Sequence, residues 1–154
     1  MRRKDKALPM DAIVLLLQAA EYGVLSTVDA QGQPYGVPLN YVFSRGCLYF
    51  HCALEGRKLD NLLANRKVSF CVVGGTRLLP AEFNTEYESV IVRGEAVEVQ
   101  GAERHQALLD LVEKYSPEFI DAGRRYIEMH DKRTKIIRID IHAMTGKAKP
   151  VTKA

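Results

Sequence analysis

From Gly23 to Val99, segments of strand character follow one another with hairpin-sized turns, and only one short helical stretch interrupts them. "GVLSTVDAQGQPYGVPLNYVF" reads as two strands around the polar turn "DAQGQP", "CLYFHC" as a third after the turn "SRG", "KVSFCVV" as a fourth and "YESVIVRGEAVEV" as a long fifth. A doubly wound parallel sheet needs a helix between most successive strands, and this order does not supply them. The pattern predicts an α+β fold, mainly β: an antiparallel barrel with peripheral helices.

The helices fall around that core. Pro9 to Ala20 is dense in Ala and Leu, with Gly23 just past it as a stop signal. "EGRKLDNLLANR" reads as a short helix with Leu59, Leu62 and Leu63 on one apolar face. "GGTRLLPAEFNTE" reads as a loop. Ala107, Leu108, Leu111, Val112 and Tyr115 recur at helical spacing, and Ser116 and Pro117 read as N-cap and first position of another helix. "TKIIRIDIHAM" reads as a sixth strand. Residues 1–154 are expected to form one domain, with a flexible leader over 1–8 and a flexible polar tail over 148–154.

Composition narrows the function classes. With 47% apolar and 27% charged residues the chain has material for a real core and an ordinary charged surface. A net charge of +3, without a long basic run or interleaved aromatics, argues against nucleic acid. The longest purely apolar run, "AIVLLL", is far shorter than a membrane span, and no convincing signal-peptide cleavage pattern follows it. A cytoplasmic location without membrane association is expected. Cys47, Cys52 and Cys71 are an odd number without C-x-x-C, so buried free thiols are expected rather than disulfides. His51, His105, His130 and His142 lack metal-binding spacing.

Strand alternation assigns faces. In "CLYFHC", Leu48, Phe50 and Cys52 share the barrel face, which turns Cys47, Tyr49 and His51 toward solvent, a partner subunit or a ligand. In the fifth strand Val90, Val92, Gly94 and Ala96 point inward, and Ser89, Ile91, Arg93 and Glu95 outward. "GVPLNYVF" is apolar on both faces, which implies a second buried surface and, most economically, a homodimer. Pro38 has no amide hydrogen to donate, so its strand is expected at an edge or at a bulge. Backbone groups exposed there can hydrogen-bond a planar ring with polar edges.

Arg57 and Lys58 follow Gly56 at the start of a helix. Cations are disfavoured at that end unless an anion offsets them, and the amides there favour an anion. A solvated turn and a phosphate site both remain open on these residues alone. The order "PYGVPLNYVF", "GCLYFH", "EGRKLDNLLANRKVSF", "YESVIVRGEA" resembles the pyridoxamine 5'-phosphate oxidase-like FMN-binding split barrels, and within them the Nim-type nitroimidazole-resistance proteins. The resemblance runs from about Tyr22 to Ala96. It implies that Arg57 and Lys58 hold the FMN phosphate and that Val37, Pro38, Leu39, Asn40 and Tyr41 line the flavin, largely through backbone atoms. It also implies that His51 and Cys52 sit at the ribityl or phosphate end, and that Ser89 reaches the flavin from the facing subunit of a homodimer. Two departures separate the chain from the oxidases themselves: Gly36 stands where they carry a phosphate-binding Arg, and there is no Trp.

The expected function is therefore an FMN-dependent oxidoreductase that reduces a small planar acceptor such as a nitroaromatic. His51 is the candidate proton donor or hydrogen-bond donor beside the flavin. A hydrogen-bonded interface histidine is the competing role for the same residue. Flavin binding without turnover and haem binding by the same barrel are the alternative functions.

Overall fold

The computed structural model describes residues 4–130 and 133–149, with His130 described in its backbone only. Among the described residues seven strands form one sheet in the order β2-β1-β5-β6-β7-β4-β3, with every pairing antiparallel. They are β1 (Gly23–Val28), β2 (Pro34–Leu39), β3 (Val42–Ser44), β4 (Cys47–Cys52), β5 (Lys67–Leu79), β6 (Asn84–Val99) and β7 (Lys135–Lys149). Among the described residues four α-helices accompany them: α1 (Met10–Ala19) before the first strand, α2 (Arg57–Ala64) between β4 and β5, and α3 (Gly101–Tyr115) and α4 (Ile120–His130) between β6 and β7.

The connection from β2 to β3 forces the sheet to curl. These two strands lie at opposite edges of the sheet, yet only Asn40 and Tyr41 separate them. Six strand spacings in a flat sheet would put the edges about 29 Å apart. From Leu39 to Val42 the chain reaches roughly 11 Å at most. The edges must therefore approach without pairing, which makes a barrel with a split at Asn40–Tyr41. The core agrees: Leu25, Leu48, Phe50, Phe70, Val72, Val90, Val92 and Ile139 are buried in one cluster, with Val37, Leu39 and Phe43 of the two edges packed against it.

Several sequence expectations meet the structure unevenly. The expected second strand is two strands, broken where the Tyr41 side chain turns into the core. Its first member β2 is an edge strand, the first of the two placements that Pro38 allowed. The loop expected over "GGTRLLPAEFNTE" is mostly ladder. β5 continues to Leu79 through a register shift between Val73 and Thr76, so Gly74 and Gly75 mark a bulge rather than a turn. Leader and tail are tied down within the described residues, because β7 runs to Lys149 against β6 and Ala7 bridges Lys147. The remaining residues of both segments, 1–3 and 150–154, lie outside the described residues. Ser116 precedes a short 3-10 turn (Pro117–Phe119) and makes no side-chain cap.

Tyr49 is the clearest correction. It is not available to a partner or ligand, because it is 2% exposed in a second core with Val42, Val99, Ala107, Leu111 and Ile136, under α3. Its hydroxyl donates to Glu103 (3.0 Å), which also pairs with Arg138 (2.8 Å). Alternation identified which side of β4 Tyr49 faces, but not that a helix from fifty residues downstream would cover that side.

Candidate functional site

The turn from β4 into α2 leaves a helix start open. Gly56 is the N-cap, at φ 135° and ψ 161°, a backbone region that essentially only glycine adopts. A glycine N-cap offers no side-chain oxygen to the first amides of the helix, and no side chain caps α2. Arg57 and Lys58 are its first two residues, with Asp60 the only acid in the first turn.

The two cations are placed differently. Arg57 is exposed and reaches across to the β1–β2 hairpin, its guanidinium carbon 4.9 Å from the centre of the Tyr35 ring. Its Nη2 lies 3.9 Å from Asp29 Oδ2, a long and solvated ion pair of little energetic weight. Asp29 itself is held by the turn, where its Oδ1 accepts from the Gln31 and Gln33 amides at 3.0 and 2.8 Å. Lys58 is half-buried and close enough to His51 to act on it. Burial first, and the Lys58 charge second, hold the His51 pKa below its ordinary 6.5 although the residue keeps an exposed edge. His51 is consequently mostly a neutral imidazole at neutral pH, able to donate one N–H bond or to take up and pass on a proton.

β2 runs away from this end. It pairs with β1 alone, so its outer edge has no strand partner among the described residues. Val37 and Leu39 turn their side chains to the core, whereas Pro38 and Asn40 are exposed. From Tyr35 to Asn40 the strand covers about 17 Å, a length suited to a mononucleotide with an extended sugar chain. An anion at α2 and a planar ring along the edge near Asn40 fit the residues present.

Tyr41 does not join that edge. Its ring is fully buried, 4.9 Å from Phe70 in an edge-on contact, and its hydroxyl donates to the Leu17 carbonyl at 2.7 Å. Its amide donates to the Tyr115 hydroxyl (2.9 Å), and its carbonyl accepts from Lys114 (3.0 Å). Neither side chain nor backbone of Tyr41 is left to contact a ligand, so the sequence expectation for this residue is withdrawn. Cys52 is buried with its thiol pKa raised by burial, and it can meet a ligand only through its backbone. Among the three free thiols Cys52 alone is buried; Cys47 and Cys71 are half-buried.

Ser89 stands apart from the other candidates. It pairs with Val73 on β5 and Lys147 on β7. Three strand spacings, about 14 Å, separate its strand from β2, so within one protomer it does not reach the β2 edge. Sequence reasoning overlooked Tyr35, Asp29, Lys114 and Tyr115. Tyr35 carried a faint signal as an aromatic residue at the start of an edge strand, while the other three are ordinary turn and helix residues until the fold brings them in.

Among the described residues no group of three or more His, Cys, Asp or Glu could hold a metal ion, and no helix is long and apolar enough to cross a membrane.

Fold and edge geometry together define a split-barrel protein with an anion-suited helix start at one end of an unpaired strand. The family model described as pyridoxamine 5'-phosphate oxidase matches residues 9–148, and the chain belongs to this family. No match was found among curated proteins. Among solved structures, it is similar to a candidate 5-nitroimidazole antibiotic resistance protein from Bacteroides thetaiotaomicron, at 23% identity and a TM-score of 0.75, covering 92% of this chain and 86% of that one. An FAD-binding protein from Mesorhizobium loti is similar at 22% identity and a TM-score of 0.67, over 94% of this chain and 98% of that one. An FAD- and heme-binding protein from Mycobacterium smegmatis shares 17% identity at a TM-score of 0.81, over 95% of this chain and 74% of that one. At these identities the likeness is one of fold.

Proposed function

We propose that the protein is a flavin-binding oxidoreductase that takes FMN along the outer edge of β2 and reduces a small planar acceptor such as a nitroaromatic. The observation that carries this reading is the uncapped start of α2, with Gly56, Arg57 and Lys58, at one end of an unpaired edge strand. The phosphate accepts from the free amides and from Lys58, and draws Arg57 from its weak contacts with Tyr35 and Asp29. The exposed backbone of Val37 to Asn40 borders the ring, and His51 and the backbone of Cys52 lie between ring and phosphate. The flavin, when bound, supplies the hydride or electron transfer; the protein supplies position, electrostatics and exclusion of water. His51, neutral and beside Lys58, donates a hydrogen bond or shuttles a proton at that end.

A homodimer belongs to the same proposal. The outer face of β1, β5, β6 and β7 carries Val73 and Ile91, 53% and 38% exposed, beside half-buried Val24, Cys71 and Ala143. A second copy seated on this face removes an apolar patch from water and brings its Ser89 toward the first copy's flavin. Tyr49 no longer contributes to this argument.

An absorption spectrum of the purified, unsupplemented protein tests the reading most directly. Paired near-ultraviolet and blue bands are expected; a Soret band instead would assign the barrel to haem. Steady-state reduction of a nitroaromatic by the reduced holo-protein separates an enzyme from a flavin carrier. His51→Ala is expected to keep FMN affinity within about 1 kcal/mol and to slow that reduction about a hundredfold. An unchanged rate in fully loaded mutant would remove His51 from the chemistry. Light scattering that finds a monomer at micromolar concentration with FMN bound would refute the dimer.

A further inference from the structure

The split in the barrel is held by a group of side chains that the proposed function does not use. At the Asn40–Tyr41 connection, the Tyr41 amide donates to the Tyr115 hydroxyl at 2.9 Å and the Tyr41 carbonyl accepts from Lys114 Nζ at 3.0 Å. The same hydroxyl lies 2.6 Å from the Glu21 carbonyl and 2.8 Å from that of Tyr41, and donates its one proton to one of the two. The Lys114 ammonium sits 4.1 Å from the centre of the Tyr41 ring and 5.3 Å from that of Tyr115. Among the described residues no carboxylate lies within ion-pair reach of it. A half-buried cation without an acid partner is an expensive device for closing a turn that a neutral side chain could close.

Position explains its use. Tyr41 is the first residue after the exposed stretch that ends at Asn40, and its ring is already anchored on Leu17 and Phe70. With the ring fixed, the two bonds from α3 fix the remaining freedom of the peptide units on either side of Tyr41. They thereby set the direction in which the Asn40 end of β2 leaves the barrel wall.

We propose that Lys114 and Tyr115 are positioning residues for the ring end of the flavin site: by clamping both backbone groups of Tyr41 they hold the edge of Val37 to Asn40 in its ring-binding geometry. This inference rests on the reading of the β2 edge as a flavin site. The clamp acts on the ring end and leaves the phosphate end, some five residues away along β2, to Arg57 and Lys58.

Titrating flavin-stripped full-length protein with FMN and with riboflavin tests it. Tyr115→Phe and Lys114→Met, checked as folded by circular dichroism, are expected to weaken both flavins together by about tenfold. Their bound flavin is expected to show displaced visible absorption bands, which Arg57→Ala does not produce. Lys114→Arg retains a cation and a donor and restores most of the affinity. Wild-type affinity and spectrum in Tyr115→Phe would overturn the inference, as would loss of FMN alone. Should Lys114→Met fail to fold, Tyr115→Phe, which removes a single oxygen, decides. A wild-type protein that binds neither flavin would overturn the flavin reading itself, and with it this inference, a result visible before any variant is made.

Discussion

The two ends of β2 are built in opposite ways. At the Pro34–Tyr35 end, Arg57 and Asp29 meet at 3.9 Å, the helix start is uncapped, and the exposed Arg57 guanidinium rests on the half-buried Tyr35 ring. At the Asn40 end, Tyr41 is buried with its ring, hydroxyl, amide and carbonyl all engaged. One end is a set of charges with little holding them, and the other is locked before any ligand arrives. A phosphate is a strong, nearly isotropic anion and can organise loose cations around itself. A planar ring offers weak, directional edges and needs its backbone partners pre-set. On the proposed flavin reading, the difference follows what each end would recognise.

The contrast breaks first if the locked end proves soft. Tyr41→Ala removes a fully buried ring and is expected to destabilise the fold by about 3–5 kcal/mol. Urea unfolding measures it, and a loss no larger than that of Arg57→Ala would mean that the two ends do not differ. At the loose end, Arg57→Ala or Lys58→Ala is expected to weaken FMN by about 1.5–3 kcal/mol, roughly tenfold to a hundredfold, with riboflavin scarcely affected. Stability in the same variants should stay within about 0.5 kcal/mol of wild type. Equal losses for FMN and riboflavin would show the pair acting through folding instead.

pH sharpens the comparison at each end with smaller effects. Burial lowers the Lys114 pKa from 10.5 to about 8, while Tyr41 and Tyr115 face it, their own pKa values raised chiefly by burial. Between those two values the unfolded chain binds the extra proton at this residue, so the Lys114 contribution to stability rises with pH from about 8 toward 10.5, while groups whose pKa burial raises, Cys52 and Tyr41 among them, pull the other way. Lys114→Met should flatten that rise in thermal melts recorded across the window. At His51 the folded pKa lies below 6.5, so unfolding takes up a proton and this residue's contribution to stability falls as pH drops through 6.5. A phosphate seated on Lys58 offsets the charge that depresses His51. In nuclear magnetic resonance titrations the His51 pKa should therefore lie higher in the FMN complex than in the riboflavin complex, since both flavins cover the residue and only FMN carries the phosphate.

The chain's own pattern carried much of the architecture. Alternation in "CLYFHC" and "YESVIVRGEAVEV" put Leu48, Phe50, Cys52, Val90 and Val92 inside, and inside is where they are. Pro38 limited its strand to an edge or a bulge, because a residue without an amide hydrogen cannot serve a central ladder, and the edge is where it lies. Glycine next to Arg57 and Lys58 marked a helix start suited to an anion, since that feature consists of three consecutive residues. All of these are local signals, read over a few positions with a fixed period. What needed the tertiary structure was contact between distant segments. The covering of Tyr49 by α3, the turning of Tyr41 into the core, and the clamp from Lys114 and Tyr115 each join residues far apart in the chain. No period encodes such contacts. They exist because a sheet whose two edges are joined by two residues has to close, and closing it decides which outward faces meet helices and which meet water.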